Sequence, residues 1–250
     1  MNLKNLNNNI DIVVISCDNY SDVWPYFFNN FFDNWEDCPS EVYLISNKKT
    51  FNHEKVKNIN IGKDVSWSAN LKKGINSLKK EYVMLLIDDL ILNKTISHNY
   101  FTKISNWIKF NSPNYLRLHI SFRPDYYDSL VGSLPEISPY KVSLMPSIWN
   151  RNFLSKMLNS EESAWDFEIK GSKRAYKYDK FFSTQHQFIY YDNSIIKGKW
   201  QRHIARKLKI NKNLRPVMSL NEQYVYNFKV LRSVLFNILP NSLKIKIKKI

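Results

Sequence analysis

Two adjacent aspartates, Asp88 and Asp89, interrupt the otherwise apolar run Tyr82–Leu92 (YVMLLIDDLIL). Burying two neighbouring carboxylates without partners is costly, and successive residues of a strand point to opposite faces. The run therefore reads as a buried strand ending at Ile87, with the acidic pair just past its carboxyl end. Open sheets of parallel strands bind ligands at that end. A Mg2+ or Mn2+ there can share a carboxylate with the phosphates of a nucleotide. A helix cap or a solvated turn would use the same pair with no such role.

The surroundings favour a parallel sheet. Ile10–Ile15 is a short β-branched run that reads as a strand, and Glu41–Ile45 and Val56–Ile61 read as two more. Asp22–Asp33 gathers aromatics on one side of a helix with Pro25 near its start. In Ser66–Lys80 the apolar residues 67, 71, 75 and 78 share one helical face. Alternating strands and helices with short connections imply a mostly parallel sheet covered on both faces. Further on, the pattern predicts a helix over Tyr100–Phe110, a strand over Tyr115–Ser121 and loops from Phe122 to Pro146. Helices are expected over Ser147–Asn159 and from Ser163 to Arg174. Phe188–Tyr191 and Ser194–Ile196 read as strands around a turn at Asp192-Asn193.

Composition removes several alternatives. With only five glycines in 250 residues, against roughly 7% in an average chain, there is no Walker A loop, dinucleotide fingerprint or GxSxG elbow. Cys17 and Cys38 form no CxxC, and no HExxH occurs, so a zinc site is a poor reading. Two unclustered cysteines suit a reducing cytoplasm. No run approaches the roughly 20 apolar residues that span a bilayer, and no signal peptide is evident.

Charge is concentrated at one end. The net charge is +15, and residues 201–250 hold twelve Lys/Arg against one acid, Glu222. Phe228, Leu231, Val234, Leu235 and Ile238 fall on one helical stripe, and LKIKIKK (243–249) alternates apolar and cationic residues. Such a segment suits an anionic membrane face. A packing helix or a frayed basic end would have the same composition. Nucleic acid is the less favoured partner, since no recognised binding motif accompanies the charge.

The segment SANLKKGINSLKKEYVMLLIDDL resembles the stretch of GT-A glycosyltransferases in which an Asn-bearing helix leads into the strand before the acidic metal motif, here a bare Asp88-Asp89 in place of DxD. DIVVISCDNYSDVWP is similar to the first strand and nucleotide-contacting loop of that fold. SLMPSIWNRNFLSKML, ESAWDFEIKGSKRA and YYDNSIIKGKW look like a group of bacterial enzymes that build surface polysaccharides such as capsule and O-antigen. Together these cover roughly residues 10–200. The resemblance implies a GT-A-like (Rossmann-like) α/β domain over 1–200 and a basic helical appendage over 201–250. It implies a nucleotide-diphosphate sugar donor bound by Ser16, Cys17, Asp18, Asn70 and Asp88, and Mn2+ or Mg2+ on Asp88 and Asp89. The implied acceptor is a glycan or lipid-linked sugar, and the implied place is the inner face of the cell membrane.

Trp165-Asp166-Phe167-Glu168 offers a base for the acceptor hydroxyl, although acids and aromatics are also common at helix starts. Asp166 and Glu168 stand about 200° apart on a helix, so only one can face the hydroxyl. Asp166, nearer the helix start, is the expected base of an inverting displacement, with Glu168 structural. His119 and Arg123 flank a strand end, where a lone histidine is more often structural. Two other classes use the same features: a metal-dependent phosphodiesterase or nuclease, and a non-catalytic protein binding nucleic acid or membrane through its tail.

Overall fold

The computed structural model describes residues 9–120, 124–126, 128–138 and 140–238. The chain forms two compact units, Met1–Asp192 and Asn193–Ile250. The boundary read from charge lies slightly later, at residue 200.

The first unit is built on a nine-stranded sheet. Strand β1 (Ile10–Ile15) is buried along its whole length, as its β-branched sequence demands. It lies in parallel between β2 (Val42–Ser46) and β4 (Tyr82–Ile87), and β3 (Val56–Asn60) extends the sheet beyond β2. Ile10 sits opposite Tyr82 and Ile15 opposite Ile87, so β1 and β4 end level with each other. Helix α1 (Trp24–Asn34) follows β1 with Pro25 in its first turn, where a missing N–H costs nothing. Helix α2 (Trp67–Asn76) connects β3 to β4. Its cap is Ser66, which accepts the Ala69 N–H at 3.0 Å, and it buries Leu71 and Ile75. The order β3-β2-β1-β4 places a topological switch between β1 and β4, where open α/β sheets hold ligands.

Past β4 the chain forms β5 (Leu90–Leu92), α3 (His98–Asn111), β6 (Tyr115–Arg117), β7 (Asp125–Tyr126), β8 (Val131–Ser133) and β9 (Ser147–Asn150). The sheet continues from β4 through β9 and β6 to β10 (Phe181–Thr184), β8 and β7. Strand β9 is antiparallel to both β4 and β6. The expected helix over Ser147–Asn159 is therefore wrong in its first four residues. Ile148 and Trp149 fill the sheet interior, with Trp149 against Tyr115 at 4.5 Å and Phe167 at 6.0 Å between ring centroids. Helix α4 (Arg151–Met157) starts only after Asn150 caps it by accepting the Phe153 N–H at 3.0 Å. A short apolar run fits strand and helix alike, and here tertiary insertion decided it. The strand expected over Tyr115–Ser121 is shorter than read, and Ser121 lies outside the described residues.

Residues 164–175 form one continuous helical stretch in three parts: α5 (Ala164–Asp166), a π turn (Phe167–Gly171) and α6 (Ser172–Ala175). Strand β11 (Tyr191–Asn193) spans the boundary residues Asp192 and Asn193. In the second unit β12 (Ile195–Ile196) pairs with β13 (Lys199–Trp200) over Lys197-Gly198. Both turn residues have positive φ, 50° and 75°, as a two-residue hairpin of this hand requires. The turn expected at Asp192-Asn193 thus falls at Lys197-Gly198. Helices α7 (Arg202–Lys207) and α8 (Leu220–Ile238) complete the unit. The expected 243–249 alternation lies outside the described residues, as do the side chains of Leu235 and Ile238.

Close packing of α2 on the sheet depends on Gly74. A Cβ there would stand 2.3 Å from Ile45 Cδ1 and 2.8 Å from Ile45 Cγ1. Gly74→Val is expected to lower stability by about 1–3 kcal/mol through overpacking. Combined with Ile45→Ala it should cost less than the sum of the two single changes, read by urea unfolding. Strict additivity would mean that the two residues do not meet.

Candidate active site

The carboxyl ends of β1 and β4 are tied by one side chain. Ser16, the first residue after β1, donates its Oγ–H to Oδ2 of Asp88 and accepts the indole N–H of Trp24 at 2.7 Å. Asp88 is only 4% exposed, so this hydroxyl supplies a donor that a buried carboxylate needs. Strand β1, helix α1 and the turn after β4 therefore converge on a single point.

A second knot joins the loops after β1 and β2. The Asp18 carboxylate accepts the backbone N–H groups of Asn47, Lys48 and Lys49 at 3.2, 3.0 and 3.0 Å. Asn47 Oδ1 accepts the Asp18 N–H in return at 3.1 Å. Partial burial works to raise this carboxyl, and the three backbone donors outweigh it and hold the group below the usual aspartate range. The third loop, after β3, is fixed by Asn70 on α2. Its Nδ2 donates to Asp64 at 2.6 Å and its Oδ1 accepts the Val65 N–H at 3.3 Å. Cys17 lies within the fields of both Asp88 and Asp64. Burial first, and those two acids after it, push its thiol upward, so it stays a neutral thiol at neutral pH.

Ser16, Cys17 and Asp88 are thus adjacent. Asp18 and Asn70 shape the loops on either side of them, through hydrogen bonds already made within the protein. Asp64 was not legible as a site residue, although its place six residues before Asn70, at a helix entry, is the signal that would have found it.

Asp89 completes the acidic turn. Burial pushes its carboxyl up to about 6, because surroundings of low polarity disfavour the charged form. Among the described residues no group of three or more His, Cys, Asp and Glu comes together as a cage for an ion. A Mg2+- or Mn2+-type site built from one or two carboxylates plus substrate phosphates needs no such cage. Asp88 and Asp89 fit that chemistry.

The two acids of the Trp165–Glu168 segment have different surroundings. Asp166 forms a reciprocal cap with Ser163, accepting its Oγ–H at 2.6 Å while its own N–H reaches Ser163 Oγ at 3.1 Å. It also pairs with Lys170 at 2.8 Å. Lys170 first, then Ser163, draws its carboxyl down to about 2. Glu168 turns inward instead. Its Oε1 accepts the Ser143 hydroxyl at 2.9 Å and the Leu144 N–H at 2.7 Å.

The register shows where that inward face lies. Ser147 is opposite Leu85 of β4 and Arg117 of β6, and β9 runs antiparallel to both. Residues 143–146 therefore emerge at the same sheet edge as Asp88 and Asp89. Tyr115 and Tyr191 lie within the field of Glu168. Burial is the main cause that raises the Tyr191 hydroxyl, with the Glu168 charge next. Arg117, fully buried, donates to the Tyr140 carbonyl at 2.6 Å. His119 belongs to the same edge. Burial, aided by Arg117, pushes its imidazole down to about 3, so it is neutral and structural. Arg123 lies outside the described residues. The recess of about 480 Å3 beside Ile10, Lys80 and Tyr82 opens at the opposite, amino-terminal edge and holds none of these groups.

No family model matches the chain, and no curated protein matches it in sequence. Solved structures do match in shape. S. aureus TarS superposes with a TM-score of 0.52 at 12% identity, over 73% of this chain and 59% of that one. The same protein in complex with UDP gives 0.51 at 13% identity, over 72% and 58%. The mannosyltransferase PcManGT from Pyrobaculum calidifontis, solved with GDP-Man and Mn2+, gives 0.51 at 9% identity, over 76% and 58%. The fold is GT-A-like. The chain spans less than two thirds of the length of each of these structures.

The Asp166 cap makes a pH-dependent prediction. Its carboxyl titrates lower in the folded chain, about 2, than the ordinary 3.8. Its stabilisation is therefore complete above pH 4 and fades as pH falls through about 2. Asp166→Ala should lower the melting temperature at pH 7, and the gap to the unmodified protein should close in acid. Identical melting at pH 7 would mean that the cap contributes nothing.

Proposed function

We propose that the protein transfers a sugar from a nucleotide-diphosphate donor to a hydroxyl of a glycan or lipid-linked acceptor in bacterial surface-polysaccharide synthesis. The observation that carries this reading is the buried Asp88 carboxylate, locked by Ser16 to the end of β1 at the switch point of a GT-A-like sheet. Neighbouring folds bound to UDP and to GDP-Man with Mn2+ support a donor of this class.

Asp88 and Asp89 would hold the divalent cation. When bound, Mn2+ or Mg2+ supplies positive charge to the diphosphate as it leaves. Ser16 aims Asp88 through the hydrogen bond between them. The loops fixed by Asp18 and Asn70, together with Cys17, form the wall against which the nucleotide lies.

On the acceptor side Glu168 is the better base. Its Oε1 is held by two donors, Ser143 and Leu144, whereas Asp166 is engaged in the helix cap and an ion pair. In an inverting displacement the acceptor oxygen forms its bond to the anomeric carbon as its proton passes to Glu168. The bond from that carbon to the diphosphate oxygen breaks, and the nucleotide diphosphate leaves with the electron pair. The basic segment 201–250 would keep the enzyme peripheral to the anionic inner face of the membrane. No helix among the described residues is long and apolar enough to cross one.

Glu168→Gln should keep donor affinity and lower turnover by on the order of 10²-fold or more, while Asp166→Asn keeps most of its turnover. Asp88→Asn should weaken both donor binding and turnover with metal at saturation. Initial rates and donor titrations on the three variants check this. Wild-type turnover by Glu168→Gln would remove it as the base, and full activity of Asp88→Asn would remove the donor site.

A further inference from the structure

The second unit contains a cationic recess that sugar transfer leaves unused. Arg202, Arg206, Lys209 and Lys212 line an opening of about 580 Å3 whose apolar wall is Ala205, Ile210 and Val217. Glu222 is the only acid in the sequence after Asp192, and it is held by Lys199 at 2.6 Å. Among the described residues no carboxylate pairs with any of the four cations. Four like charges around one hollow repel each other and jointly attract an anion.

Arg202 narrows the class of anion. Its Nη1 donates to the Met218 carbonyl at 3.1 Å, which fixes the guanidinium plane. Its Nε is buried and has no hydrogen-bond acceptor. A buried N–H left without an acceptor is destabilising, and a phosphate oxygen matches the planar donor fork of arginine.

Helix α8 of the same unit supplies the second requirement. Leu220, Tyr224, Phe228 and Leu231 recur at one-face spacing, and each is more than half exposed. The helix is joined to the recess, since the Arg202 N–H donates to Gln223 Oε1 at 2.9 Å. A free phosphate would need only the cations. An exposed apolar stripe joined to a cationic hollow matches a lipid surface, with headgroup charge above and acyl chains below.

We propose that this recess binds the phosphate of an anionic phospholipid headgroup while the apolar stripe of α8 enters the acyl boundary. The inference rests on the membrane-surface reading above and gives it a defined site.

The test compares two full-length triple variants with the same loss of charge. Arg206→Gln, Lys209→Gln and Lys212→Gln empty the recess, and Lys207→Gln, Lys229→Gln and Arg232→Gln remove cations of the same unit outside it. Arg202 is left in place because it supports the fold through Met218. Co-sedimentation is measured with phosphatidylcholine vesicles with and without phosphatidylglycerol, after melting curves show that both variants fold. The recess variant should lose on the order of 10²-fold in binding to the anionic vesicles, as three membrane-facing cations imply, and the control should lose at least about tenfold less. Equal loss in both variants would overturn the site and leave only diffuse attraction. No binding by the unmodified protein would overturn the site together with the membrane reading. Stabilisation by inorganic pyrophosphate without any preference for anionic vesicles would assign the recess to a soluble phosphate. Single-stranded RNA binding that is lost only in the recess variant, with vesicle binding intact, would assign it to nucleic acid. Both of these outcomes overturn the lipid proposal.

Discussion

Everything at the carboxyl edge of the first unit depends on keeping one buried carboxylate satisfied. Asp88 ends a strand whose preceding residues are apolar and buried, so it has little water to solvate it. The hydroxyl of Ser16 meets that need and is itself held by Trp24, a residue buried at the start of α1. Loss of the hydroxyl would leave the acid without this donor and the indole without its acceptor. The loops after β2 and β3 repeat the arrangement with Asp18 and Asp64, each carboxylate accepting from the neighbouring loop or helix. The acids of this edge are bonded across elements rather than within them.

The acids of the first unit differ in what engages them. Asp18 is saturated by three backbone donors and Asp166 by a cap and a lysine. Burial, by contrast, raises the Asp89 carboxyl to about 6. Glu168 is held on one oxygen by a backbone N–H and a hydroxyl that both come from the segment leading into β9.

Much of the sheet could be read directly from residues. Ile10–Ile15 and Tyr82–Ile87 have the observed boundaries, because a continuous apolar run closed by polar residues has few other places to go. Ser66, Asn150 and Ser163 all cap the helices that follow them, and the first and last of them open stretches that the sequence reads as helical. Strand β9 was hidden, since SIWN carries no period and its identity comes from the gap between β4 and β6. The pairing of Ser16 with Asp88 was hidden for a related reason. Seventy-two residues separate them, and only the parallel register of β1 on β4 brings them level. The choice between Asp166 and Glu168 could not be made from position in a helix. The proposed preference for Glu168 rests on Ser143 and Leu144, which reach it through the antiparallel turn into β9.

That antiparallel insertion also sets an order of assembly. The outer edge of β4 has no partner until Ser147–Asn150 has been made, about sixty residues after Ile87. At roughly 5–20 residues per second the growing chain exposes that edge for about 3–12 s. Long-range pairing of this kind is slow to form, and an open apolar strand is a template for pairing with other chains. Asp88 and Asp89 close that strand with two charges. Charges placed beside an unavoidable apolar strand are the kind that disfavour its pairing with other chains while its own partner is still to be made.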